Sequence, residues 1–117
     1  MIKCLTEGDF IMVSGLKAIQ DEVGVWAEKN FGKQASYRPL LGVVEELGEL
    51  THAQLKMEQG IRVSEDHNEA AKDAIGDLMI YLMHYCYTRG YNIEEIIEMV
   101  WEEVSKRDWN KNKSTGK

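Results

Sequence analysis

Apolar residues recur along this chain at helical spacing, with Gly, Asn and Asp punctuating the runs. Leu16, Ile19, Val23 and Trp26 follow one another at steps of three and four, which predicts a buried stripe on a helix over about residues 9–30. Thr6 and Ser14 both suit its N-terminal cap, and Gly32 in "NFGKQ" is the expected left-handed stop. A second helix is expected from Tyr37-Arg38-Pro39, where proline suits the first turn, to about Gln59, with Gly60 as its stop. On a helical wheel its core stripe is Leu40, Val43, Leu47 and Leu50.

The polar connection "GIRVSED" leads to a third helix from near Asp66, with Glu69 as capping-box partner, to Arg89, with Gly90 as its stop. Its expected core stripe is Ala71, Ile75, Leu78 and Leu82. Met79, Ile80, Met83, Tyr85 and Cys86 extend the apolar surface around much of the circumference, which predicts burial on more than one side and a subunit interface. Asn92 and Glu95 open a fourth helix with Ile93, Ile96, Ile97, Val100, Trp101 and Val104 on its apolar face. Short connections make the second, third and fourth helices antiparallel neighbours. The pattern predicts an all-α, four-helix bundle-like chain that oligomerises through its helices.

Composition agrees with that class. A chain of 117 residues is one domain and can bury a core without a disulfide or structural metal. A net charge of −6 argues against nucleic acid as a partner but leaves phosphorylated small molecules open, provided a metal ion mediates. Cys4 and Cys86 form no motif, so a reduced, cytoplasmic chain is expected. No export leader and no membrane span are expected. The segment from about residue 110, "NKNKSTGK", is expected to be a flexible polar tail. Trp26, Trp101 and Trp109 are expected in the core by residue type. His52 and His84 are expected at the surface or supporting a site, not as ligands.

Chemistry enters with "GVVEELGELTHAQ", which places Glu45, Glu46 and Glu49 in an otherwise apolar segment. The wheel puts Glu46 at the edge of the core stripe, Glu49 about 60° further round, and Glu45 nearly opposite the core. On the third helix Asp73, Asp77, Tyr81 and His84 form one polar stripe. Gly48 and Gly76 interrupt these helices where close approach of a neighbour or a ligand is expected. Each acidic pair alone reads as a solvated face. Two such pairs on adjacent helices provide the oxygen ligands that Mg²⁺ and Mn²⁺ take, with positions left for water and phosphate.

"VVEELGELTHAQLK" followed by "AAKDAIGDLMIYLMHYC" resembles the MazG-like all-α nucleoside triphosphate pyrophosphohydrolases, over about residues 20–110. Their hallmark is EExxE on one helix and ExxD on the next. The first motif is met in full at Glu45, Glu46 and Glu49. The second departs from the pattern: Asp77 matches, but Ala74 stands where the family has Glu, with Asp73 one residue earlier. The resemblance implies Mg²⁺, with Mn²⁺ as a substitute, bound by Glu46, Glu49 and Asp77 with Asp73 replacing the missing acid. It implies hydrolysis of a (d)NTP to (d)NMP and pyrophosphate, with Glu45 or Glu46 serving catalysis. Glu45 is the favoured base toward water. It further implies Tyr81 near the substrate, Trp26 covering the base, and Lys106 and Arg107 of "KRDW" reaching the phosphates. The assembly implied is a homodimer or homotetramer. Two rivals stand beside this: a non-catalytic helical regulator or adaptor dimer, suggested by Ala74, and a carboxylate-bridged di-iron protein, suggested by the ExxH spacing of Glu49 and His52.

Overall fold

The structure, a computed structural model, describes residues 15–116. It is all-α: α1 Leu16–Phe31, α2 Tyr37–Gln59, α3 His67–Arg89 and α4 Ile93–Val104, with no strand among the described residues. Thr6, Ser14 and Cys4 lie outside those residues. The α1 N-terminus is instead closed from a distance: Leu16 N donates to Glu94 Oε1 at 2.8 Å. Local chemistry fixes the later termini as expected. Asp66 accepts from Glu69 N, Asn92 accepts from Glu94 N and Glu95 N, and Gly60 and Gly90 adopt the left-handed conformation. Gly32 departs from expectation. Its φ of 73° is positive but its ψ of −177° is extended, so the chain leaves α1 without a left-handed helical residue.

Helix α3 is central. It packs along α2 and, less extensively, against α1, and α4 leans on α1. The α2–α3 pair is antiparallel, with Thr88 Oγ1 3.1 Å from Ser36 Oγ and the Tyr81 ring lying against the α2 backbone at Gly42. A Cβ at Gly42 would enter that ring, and one at Gly24 in α1 would enter the ring of Tyr87. These are the glycines that permit close approach. Gly48 and Gly76, expected in that role, have open space where a Cβ would sit.

The predicted stripes need correcting on the same physical ground. Small residues, not the largest apolar ones, form the α2–α3 seam. Pro39, Glu46 and Ala53 of α2, at steps of seven, are its buried residues, and Ala74 of α3 is 2% exposed. Leu40, Leu47 and Ile75, expected in the core, are exposed, as are Trp26, Trp101 and Trp109. The apolar cluster lies around Met83, Cys86 and Ile93, with Leu16, Ile19, Val23 and Leu82 against it, as their stripes predict. Gln20 is buried beside this cluster with both ends of its amide satisfied. Its Nε2 donates to Tyr91 O at 2.6 Å and its Oε1 accepts from Ile93 N at 2.8 Å, tying α1 to the α3–α4 turn. The C-terminal stretch, expected as a frayed tail, makes turns from Asp108, and Gly116 packs on the Trp109 ring.

Candidate active site

The α2–α3 seam carries the acids. Glu46 is 8% exposed, and its Oε2 has no hydrogen-bond partner among the described residues. It is therefore at the centre of the buried face of α2, not at its edge. Burial pushes its carboxyl above the usual range, and the charges of Glu49, Asp77, Glu45 and Asp73 push in the same direction, in that order of strength. All five acids picked out from the sequence thus share one electrostatic neighbourhood, with Asp73 the weakest contributor to it.

Their side chains divide between two hollows. Glu46 and Asp77 line a cleft of about 500 Å³ between α1, α2 and α3. Tyr81 and the buried His84 continue its α3 wall, and Trp26 and Phe31 stand on the α1 side as an edge-to-face pair with ring centroids 5.5 Å apart. Glu45 and Glu49 line a second recess of about 460 Å³ near the α2–α3 connection, together with His52, Glu65, Asp66 and His67. As the side chains stand, no three His, Cys, Asp or Glu among the described residues are gathered closely enough to hold an ion. The donor set nevertheless suits a hard cation: all carboxylate oxygens, one of them buried and unpaired. Ala74, buried in the seam, contributes a methyl group and no oxygen to it.

His84 is held below the ordinary imidazole range by burial, against a weaker upward pull from Glu28, so it is neutral at neutral pH. Lys106 and Arg107 follow the end of α4, are exposed and do not line the cleft; Lys106 Nζ is 3.6 Å from Glu102. Phe31, Gln34 and Arg38 are among the lining residues that carried no site role from sequence. Gly42, four residues before Glu46, was the available signal, because a mid-helix glycine admits a close neighbour and here the Tyr81 ring of α3 lies against it.

Compared with known proteins, the chain matches no family model, no curated protein and no solved structure.

Proposed function

We propose that this chain is a Mg²⁺-dependent nucleoside triphosphate pyrophosphohydrolase of the MazG-like kind, acting in the cytoplasm as a homo-oligomer and releasing pyrophosphate from a (d)NTP. The observation that carries the reading is Glu46, a buried carboxylate with an unpaired oxygen, crowded by four other acids at the wall of an aromatic-lined cleft. Such a group is costly when left uncompensated and rewarding when a cation arrives. Glu46, Glu49 and Asp77, with Asp73, would hold Mg²⁺ or Mn²⁺, which when bound neutralises phosphate oxygens and lowers the pKa of a water. Trp26 and Phe31 offer faces on which a base stacks, and Tyr81 lines the same cleft as Glu46 and Asp77. Glu45, exposed and outside the proposed ligand set, would take a proton from the attacking water at its carboxylate.

Association has its own support. Leu40, Leu41, Val44 and Leu47 on α2 and Ile97, Val100 and Trp101 on α4 are all exposed. No helix among the described residues is long and apolar enough to cross a membrane. The deciding experiment is a screen of NTPs and dNTPs with Mg²⁺, assayed separately for pyrophosphate and for inorganic phosphate. Pyrophosphate with equimolar monophosphate supports the reading. No product from any nucleotide would favour the regulator or adaptor alternative, for which Ala74 in the seam is the specific observation.

A further inference from the structure

We propose that Arg38, assisted by Gln34, reads the base of the substrate and selects bases with two adjacent hydrogen-bond acceptors on one edge, as guanine and cytosine have. This rests on the nucleotide reading of the cleft. Arg38 is the cationic side chain among the residues lining it. The ion pairs among the described residues engage Lys17, Lys72 and Lys106, and none engages Arg38. Its guanidinium lies over the Tyr37 ring, 5.5 Å from the centroid, a contact that leaves its N–H edge unused. Gln34, four residues before Arg38, is half-buried and lines the same cleft, and among the described residues its amide has no hydrogen-bond partner.

Position along α2 assigns the role. Arg38 precedes Glu46 by about 12 Å of helix axis. Phosphates belong at the carboxylate end, with Glu46 and Asp77. The far edge of the nucleoside then reaches the level of Arg38 and Gln34, with the Trp26–Phe31 pair available for stacking. A guanidinium has only donors, set in a planar fork. It pairs with two neighbouring acceptors, O6 and N7 of guanine or O2 and N3 of cytosine. Adenine sets a donor beside its ring acceptors, and uracil and thymine separate their two carbonyls with an N–H. Gln34 can both donate and accept, and so can serve the remaining group on either favoured base.

The test measures kcat/KM with Mg²⁺ for dGTP, dCTP, dATP and dTTP on the wild-type chain, Arg38→Met and Arg38→Lys. The wild type is expected to favour dGTP and dCTP by about tenfold or more. Arg38→Met should bring the four values together, and Arg38→Lys, which keeps the charge but loses the fork, should not restore the preference. An equal loss for all four nucleotides in Arg38→Met would make Arg38 a phosphate contact and overturn the proposal. So would restoration by lysine, or a wild type without preference. If no nucleotide is hydrolysed, the hydrolase reading fails, and base selection is then decided by equilibrium binding of guanosine, cytidine, adenosine and uridine, followed by tryptophan fluorescence. Tighter binding of guanosine and cytidine that disappears in Arg38→Met upholds it, and its absence overturns it.

Discussion

Glu46 carries a charge that works against the fold at neutral pH. Its carboxyl is held above the ordinary value of about 4.5, first by burial and then by neighbouring acids. In the folded chain the proton is held more tightly than in the unfolded chain, so this group favours folding at low pH. The advantage is lost as pH rises through the folded pKa. Glu46→Gln in metal-free, chelator-treated protein should therefore melt at a higher temperature than wild type at neutral pH, and the difference should vanish as pH falls to 4.5 and below. Added Mg²⁺ should raise the melting temperature of the wild type and not of Glu46→Gln, because only a site that binds the ion in the folded state gains from it. Glu46→Gln and Asp77→Asn should both abolish turnover with helicity intact by circular dichroism; turnover at the wild-type rate in either variant would remove the metal site as drawn. His84 works in the opposite direction. Burial lowers its pKa below about 6.5, so the folded chain refuses a proton that the unfolded chain accepts. Its contribution is present above 6.5 and is lost as pH falls through the lowered pKa. His84→Gln should flatten the fall in melting temperature between pH 7 and pH 5, and a parallel decline in both proteins would show that His84 is not its source.

At the scale of the helix, the glycines separate contact from vacancy. Gly48 faces open space, so Gly48→Ala should stabilise α2 by up to about 1 kcal/mol through backbone entropy alone. Gly42→Ala drives a methyl group into the Tyr81 ring and should cost about 1–3 kcal/mol as overpacking. Urea melts of the two single variants decide the matter, and equal signs for both would contradict the packing described. The same contrast explains what could be read from sequence. Asp66, Asn92, Gly60 and Gly90 act through bonds to their immediate neighbours, so these helix ends were legible. The spacing of the acids along α2 and α3 was equally legible, since steps of three and four residues place side chains on one face of a helix. The facing itself was not. A wheel weighted by hydrophobicity points Leu40 and Leu47 inward, whereas the close seam is built from Pro39, Gly42, Glu46, Ala53 and Ala74. Side-chain size, set against the partner helix, decided it. Arg38 and Gln34 escaped notice because their significance lies in a cleft formed by three helices, and nothing local marks it.

At the scale of the whole molecule, those outward-facing apolar residues acquire a use. The radius of gyration is 17.9 Å, where a compact chain of this length has about 13 Å. The helices are arranged openly, with α3 packed between α1 and α2 and α4 resting on α1. Large side chains lie uncovered on two separate helices, including Val44 and Leu47 on α2 and Val100 and Trp101 on α4. A single copy in water would leave this surface solvated at about 25 cal/mol per Å² of apolar area, a penalty that association removes. The chain should therefore sediment as a homo-oligomer, with a melting temperature that rises with protein concentration because folding and assembly are linked. Leu47→Lys places a charge on the uncovered face of α2 without touching the seam that holds Glu46. It should shift the distribution toward the single-chain mass and weaken the concentration dependence, while far-UV helicity is retained. A wild type that sediments as a single chain throughout, with a melting temperature independent of concentration, would show that this apolar surface is not an interface between copies.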